Sequence, residues 1–171
     1  MRRPPLPINI ERLREVLDYD PKTGLFHWKV KLSIRIQIGD QAGCEAITAG
    51  GRAYVKIRFD DALYCAHRLA WAHYYGEQPP LRIDHEDGDG LHNWIDNLRK
   101  ATQSQNAANM RKTVKSSTGF RGVYPSGDRF VAKAMKDGRS ISFGSHGTAE
   151  AAYASYCAGM KSLFGDFASL V

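Results

Sequence analysis

Cysteine is too scarce and too scattered to build a zinc knuckle or a disulfide framework. The 171 residues include three cysteines, Cys44, Cys65 and Cys157, which are far apart and odd in number. They form no CxxC pair, the spacing that is typical of zinc modules, and they cannot all pair as disulfides. We therefore predict reduced, mostly buried thiols and expect no structural zinc.

Long apolar runs and a secretion signal are also lacking. No stretch reaches the ~18–20 apolar residues of a membrane-spanning helix. The opening MRRPPLPINIERL is basic, but prolines stand where a signal peptide needs an apolar segment. With 43% hydrophobic and 25% charged residues, the composition is typical of a soluble globular protein. We expect a cytoplasmic protein without a membrane partner.

Acidic residues are few overall but concentrated in the middle of the chain. The net charge is +6. Residues 61–110 carry four Lys and Arg against seven Asp and Glu, whereas residues 111–171 carry nine against four. Basic flanks suit a polyanion such as nucleic acid, but an acidic patch opposes that binding unless a cation neutralises it. The pattern indicates a metal site beside a phosphate backbone; the alternative is a surface of scattered charges.

The first 80 residues predict a short helix, several strands and a second helix. Apolar residues recur at helical spacing from Ile10 to Leu17, after Asn9, which suits an N-cap. LYCAHRLAWAHYYG passes from a short strand into a helix that ends before Pro79 and Pro80. The strand-like runs before it are LFHWKV, residues 34–38 and residues 53–59.

The end of the chain has the pattern of a separate small module. Residues 112–119 are basic and rich in Ser and Thr, which is typical of a linker. Three strand-like runs follow, separated by the hairpin turns SGD and KDG. An Ala-rich helix comes last, with Thr148 as its expected N-cap and Gly165 as its stop. We therefore place a domain boundary near residue 113.

The stretch IDHEDGDGLHNWIDNLRKATQSQN, residues 83–106, holds five acids and two histidines. LRIDH predicts a strand ending at Asp84 and His85, and EDGDGLHNW predicts a loop. NLRKAT can return as a second strand, and SQNAANMR begins a helix that Thr102 or Ser104 can cap. The expected order is strand, loop, strand, helix, with polar residues projecting from each element.

These residue types suit the hydrolysis of a phosphodiester, which needs a cation and a base. A carboxylate on Asp84 and an amide oxygen on Asn106 suit Mg²⁺ or another hard ion such as Mn²⁺ rather than Zn²⁺. His85 can act as the base, with the Asn97 side-chain carbonyl as a candidate to orient it. Because neighbouring side chains on a strand point to opposite faces, the backbone must bend if Asp84 and His85 serve one site.

The same residues have simpler interpretations. Asp84, Asp87 and Asn97 can be turn or cap residues, and His27 and His92 are expected to be surface or packing histidines. The spacing Asp87-Gly88-Asp89-Gly90 does not fit a calcium-binding loop.

Several separated motifs resemble the phage and intron-encoded HNH endonucleases in the form whose last His is Asn. The motifs are AHRLAW (66–71), G-E-x-P-P (76–80), IDHEDGDGLHNWIDNLRKAT (83–102) and QNAAN (105–109). Residues 8–65 look like the region that commonly precedes this motif in phage HNH proteins. The resemblance implies a ββα-metal fold and cleavage of one DNA strand per active site.

It also implies roles for individual residues. Asp84 and Asn106 would be metal ligands, His85 the general base and Asn97 its orienting partner. His67 and Arg68 match the family's HR pair, which we assign to structural support or phosphate contact, and we expect Arg68 and Arg99 to contact DNA. The family's frequent zinc-binding cysteine pairs are absent from this sequence.

The final segment resembles the plant ethylene-response-factor (Apetala-type) DNA-binding domain, which lays a three-stranded sheet into the major groove. RGV, FVAK, FG and TAEAAY carry the resemblance, at residues 121–123, 130–133, 143–144 and 148–153. Tyr124 and Ser142 stand where the plant domains usually have Arg and Trp, so no base preference carries over. The expected DNA-facing cations are Arg121, Arg129, Lys133 and Arg139.

The sequence thus predicts an α+β protein with three parts: residues 1–65 preceding the core, an HNH core at 66–112 and a DNA-binding domain at 113–171. We expect a Mg²⁺-dependent endonuclease of phage or homing type, acting on double-stranded DNA in a bacterial or phage-infected cell. We expect no small-molecule cofactor, and a monomer is favoured. The rival functions are a DNA-binding regulator with an inactive nuclease centre and a toxin-like nuclease without sequence preference.

Overall fold

The computed structural model describes residues 7–109 and 116–170, and it contains both helices and strands. The chain divides into two compact units, residues 1–100 and 101–171. The predicted boundary near residue 113 lies outside the described residues. No described helix is long and apolar enough to cross a membrane.

The first unit opens with a helix and a two-stranded ribbon. Helix α1 spans Ile10–Val16, and the Asn9 side chain accepts a hydrogen bond from Arg12 N, which confirms the expected N-cap. Strands β1 (Leu17–Tyr19) and β2 (Phe26–Trp28) pair antiparallel around the DPKTG turn. Burial alternates along β1, so that Leu17 and Tyr19 face the core while Asp18 faces solvent.

The strand predicted at 34–38 is wrong. Only an isolated bridge between Ser33 and Ile36 forms there, and the segment otherwise turns. The pattern alternates, but Ile34 is 86% exposed and Ile38 is 69% exposed. An alternating run becomes a strand only when one face is buried and an edge finds a partner.

A three-stranded antiparallel sheet leads into the second helix of this unit. Strands β3 (Cys44–Ile47), β4 (Ala53–Phe59) and β5 (Ala62–Cys65) pair in that order. Helix α2 (Ala66–Tyr75) begins directly after β5 and ends at Gly76, whose φ of +68° suits glycine. The strand-to-helix transition was predicted and is confirmed.

A short hairpin completes the first unit. Strands β6 (Ile83–His85) and β7 (Leu98–Lys100) pair antiparallel, and a 3₁₀ turn at Ile95–Asn97 leads into β7. Residues on both sides of position 65 share one core, so the predicted boundary between 1–65 and 66–112 does not separate two cores. That core includes Leu13, Leu17, Phe26, Ile57, Leu69 and Leu98.

The second unit consists of a short helix, a three-stranded sheet and a long helix. Helix α3 spans Gln103–Asn109. Strands β8 (Val123–Ser126), β9 (Arg129–Lys136) and β10 (Arg139–His146) form an antiparallel meander, and helix α4 (Ala149–Phe164) packs on it. Thr148 caps α4 as predicted, accepting from Ala151 N. Val123, Ala132, Ala152, Tyr156 and Met160 form its buried centre.

Candidate active site

The β6–β7 hairpin buries two adjacent ionisable residues, Asp84 and His85. They are 3% and 7% exposed. Asp84 lies opposite Arg99, and His85 lies opposite Leu98. Asp84 contacts Arg99, whereas His85 contacts Asn93.

His85 lies among polar and aromatic side chains of three other segments. Its Nε2 is 3.3 Å from Asn93 Oδ1. Its ring centroid is 5.0 Å from that of His67 on α2, edge to face, and 6.2 Å from that of Tyr54 on β4. Burial lowers the pKa of His85, although the Asn93 bond and nearby carboxylates oppose that shift. His85 is therefore a neutral imidazole at neutral pH.

The Asn93 contact assigns the tautomer of His85. Asn93 is 2% exposed, and its Nδ2 donates to Leu91 O at 2.8 Å. That bond directs the amide so that Oδ1 faces the imidazole, and a carbonyl oxygen only accepts. The proton of neutral His85 is therefore on Nε2, and Nδ1 carries the lone pair.

The N-terminal turn supports the segment that carries Asn93. Tyr19 OH donates to Asn93 O at 2.8 Å, and Ile95 N donates to Pro21 O at 3.0 Å. Gly24 has a φ of +77°, and a Cβ there would lie 2.3 Å from Trp94 N. Only glycine permits this approach, so the DPKTG turn helps to fix the position of Asn93.

The predicted bond from the Asn97 side-chain carbonyl to His85 is not formed. That oxygen accepts from Asp87 N at 3.0 Å, and Asn97 Nδ2 donates to Asp87 Oδ1 and to His92 O. The side-chain amide of Asn97 thus faces the loop after His85, because Asn97 ends the 3₁₀ turn just before β7 and its main-chain carbonyl accepts from Glu86 N. Asn97 holds the loop, and Asn93 holds the imidazole.

Asp87 organises the same loop from its other side. Burial alone would raise the pKa of Asp87, but hydrogen bonds from Asp89 N, His92 and Asn97 lower it below its usual value. The contact with His92 Nδ1 is short, at 2.6 Å. Asp87 therefore acts as an ionised anchor for the turn, as its simpler interpretation expected.

Asp84 forms an ion pair with Arg99. Arg99 Nε lies 3.0 Å from Asp84 Oδ2, and Arg99 Nη1 lies 3.8 Å from Glu86. The Arg99 side chain is 17% exposed. These carboxylate contacts follow from β-sheet register, which places Arg99 across from Asp84. The contact of Arg99 with DNA stays a prediction.

Arg68 likewise has a structural position. Its Nη1 donates to Pro80 O at 2.9 Å and its Nη2 to Pro79 O at 3.4 Å, while Nε is buried without a hydrogen-bond partner in the described residues. Burial lowers the pKa of this guanidinium. Arg68 thus closes the proline turn after α2, which fits the structural role expected of it as one alternative. Its contact with DNA stays a prediction. Its neighbour His67 has a buried Nδ1 with no partner among the same residues, and burial lowers its pKa well below the usual value.

Asn106 lies on α3, in the second unit. Thr102 and Gln105 cap this helix reciprocally: Gln105 N donates to Thr102 Oγ1, and Thr102 N donates to Gln105 Oε1. The cap predicted at Thr102 is thereby confirmed. Asn106 is partly exposed, and its side-chain amide makes no hydrogen bond within the described residues.

The side chains available for a metal ion are few. Within residues 7–109 and 116–170, no group of three His, Cys, Asp or Glu side chains could hold a metal ion. Of the predicted ligands, Asp84 in the first unit offers a carboxylate and Asn106 in the second unit offers an amide oxygen. Hard oxygen donors of this kind fit Mg²⁺, which keeps several waters.

The sheet of the second unit has an outer face turned away from α4. Register places Tyr124 opposite Val131, and Lys133 opposite Ser142, on this face. Lys133 is exposed, and Arg129 is exposed while donating to Ser145. Both cations lie on this outer face, and their contact with DNA stays a prediction.

The other two predicted cations of this unit lie elsewhere. Arg121 donates to Ala107 O, Ala108 O and Ser169 O, so it ties α3 to the chain end. Arg139 pairs in register with Lys136, whose side chain reaches Leu163 O on the α4 side. The alternation of β10 therefore turns Arg139 away from the outer face.

Comparison with known proteins finds a family match for the segment that carries the candidate site. Residues 64–108 match the model of the HNH endonuclease family. No curated protein and no solved structure matches the chain. The matched segment runs from the end of β5 through the β6–β7 hairpin into α3, and it supports an HNH endonuclease domain that acts on DNA.

Proposed function

We propose that the chain is a divalent-metal-dependent DNA endonuclease in which His85 is the general base. The observation that carries this proposal is the buried, neutral imidazole whose Nε2 proton is engaged by Asn93. The lone pair on Nδ1 accepts a proton from the attacking water. General-base catalysis of this kind contributes roughly 10²–10⁴ in rate.

Two asparagines position this base from different sides. Asn93 keeps the proton on Nε2 and fixes the rotation of the ring. Asn97 holds the loop that leaves β6, through three hydrogen bonds to Asp87 and His92. In this proposal both are positioning residues.

Asp84 and Asn106 would hold the metal ion, with Mg²⁺ or Mn²⁺ as the fitting ions. Such an ion, when bound, neutralises charge on the phosphate and polarises the bond that is cleaved. Asp84 would hold the ion while still accepting from Arg99, since a carboxylate has about four lone-pair sites. One such centre per chain supports nicking of one strand at a time.

The second unit would supply duplex affinity through the outer face of its sheet. The plant domains that this segment resembles lay a three-stranded sheet into the major groove, and here the exposed cations Arg129 and Lys133 would provide phosphate or base contacts. The resemblance of roughly the first 110 residues to phage and intron-encoded HNH proteins favours a phage or homing setting.

A DNA-binding regulator with an inactive nuclease centre is the second candidate. The Asp84–Arg99 ion pair favours it, because the guanidinium already neutralises the carboxylate that would hold the metal ion. The two candidates differ in one measurable property, which is hydrolysis.

The test is incubation of the full chain with supercoiled plasmid, with Mg²⁺ or with EDTA. The proposal expects conversion to the nicked circle with Mg²⁺ alone. His85→Ala should lose the activity, whereas His27→Ala, on β2, should keep it. Plasmid that stays supercoiled while binding the wild-type chain would favour the regulator.

A further inference from the structure

The sheet face of the first unit that turns away from the core carries a row of residues on β4. Tyr54, Lys56 and Arg58 alternate with Val55, Ile57 and Phe59. Ile57 and Phe59 are fully buried in the core, and Val55 packs against it. Since successive side chains on a strand point to opposite faces, the row lies on the side away from the core.

The row begins beside the proposed general base. The Tyr54 ring lies 6.2 Å from the His85 ring and 5.9 Å from the His67 ring. The loop after His85 also packs here, because a Cβ on Gly90 would lie 2.6 Å from the Tyr54 ring. At about 3.4 Å per residue, Arg58 is about 14 Å further along the strand from Tyr54.

Two cations on this row face no carboxylate from the neighbouring strands. Register places Cys44 and Cys65 beside Lys56, and Leu63 beside Arg58. Glu45 pairs with Val55 and so belongs to the opposite face. The row is thus a positive strip on an otherwise uncharged sheet face.

Both cations keep donors for a ligand. Lys56 Nζ donates to Cys65 Sγ at 2.8 Å, but a thiol is a weak acceptor and an ammonium has three protons. Arg58 is exposed and makes one long contact, 3.4 Å from Nη1 to Asp61 O. A guanidinium has five donors in a fork that matches phosphate oxygens.

We propose that Lys56 and Arg58 bind the phosphodiester backbone of the DNA strand that enters the His85 site. The proposal rests on the function proposed above and adds a contact surface in the first unit. The positive strip complements a polyanion, and its continuity with His85 and His67 directs the strand toward the base. It also offsets the local negative charge of residues 84–89.

The test is binding of the full chain to a fluorescent duplex in EDTA, measured over a range of salt concentrations. Log affinity falls with log salt by about 0.9 per neutralised phosphate. Arg58→Gln should therefore reduce the slope by about 0.9, and the Lys56→Gln/Arg58→Gln pair by about 1.8. Arg12→Gln, an equal charge change on α1, is the matched control and should leave the slope unchanged.

The second variant is Arg58→Glu. Because Arg58 is exposed, this charge reversal should leave the fold intact, which circular dichroism checks. It should weaken binding more than Arg58→Gln does. Equal slopes for wild type, Arg58→Gln and Arg58→Glu overturn the proposal, even if the wild type nicks plasmid. If the variants reduce the slope but the wild type does not nick plasmid, the proposed contact surface is supported and the proposed hydrolysis is refuted.

Discussion

Replacing Asn93 by alanine should slow DNA cleavage by more than a loss of folded protein would explain. The change removes the acceptor of His85 Nε2 and the donor to Leu91 O, both within a buried site. Each group left unpaired costs about 1–3 kcal/mol of folding stability. If the lost orientation of His85 costs the transition state a similar amount, cleavage slows by about 5–160-fold.

Tyr19→Phe is the matched control for this substitution. It removes the 2.8 Å bond from Tyr19 OH to the main-chain carbonyl of Asn93 but leaves the side-chain bond to His85. Both variants should unfold at lower urea concentration. Only Asn93→Ala should show the slower single-turnover nicking with Mg²⁺. Wild-type nicking by a folded Asn93→Ala protein would refute the assignment of Asn93 as the residue that positions His85.

The remaining predictions concern the metal, the second unit and pH. Asp84→Asn should lose the strengthening of duplex binding that Ca²⁺, a poorly catalytic ion, gives the wild type; equal strengthening in both would exclude Asp84 as a ligand. Lys133→Gln should reduce the salt slope of duplex binding by about 0.9, whereas Arg121→Gln should lower the unfolding midpoint, since Arg121 binds main-chain carbonyls. Acidification from about pH 7.5 to about 5.5 should reduce the free energy of unfolding. Burial lowers the folded-state pKa of His67 and His73, so the unfolded chain binds more protons than the folded chain in this range. Urea titrations of His73→Phe should show a weaker dependence on pH, and an unchanged one would remove His73 from this account.

The elements around the candidate site were predictable because each has a local cause. Asn9, Thr102 and Thr148 cap helices through their own side chains, and the alternation of β4 follows from a face buried against the core. The segment 34–38 shows the limit of this reasoning. Its isoleucines alternate as in a strand, but exposure of Ile34 and Ile38 leaves nothing to hold it as one.

The partners of individual site residues were not predictable, since they depend on register between segments. Asn93 and Asn97 are the same residue type, four positions apart in the sequence. The β6–β7 pairing directs Asn97 to Asp87 and leaves Asn93 to face His85. Arg99 and Arg121 show the same limit: their charge suggests DNA contact, but only the fold places Arg99 beside a carboxylate and Arg121 beside main-chain carbonyls. No short-range signal distinguishes such arginines from Lys133.

The most direct measurement is the single-turnover rate at which the wild type and His85→Ala nick a labelled duplex with Mg²⁺, at protein concentrations that saturate binding of both. Saturation separates the chemical step from affinity. The account predicts at least a roughly 10²-fold slower rate for His85→Ala, with duplex binding unchanged in EDTA. Equal rates for the two proteins would contradict the central claim that His85 is the general base.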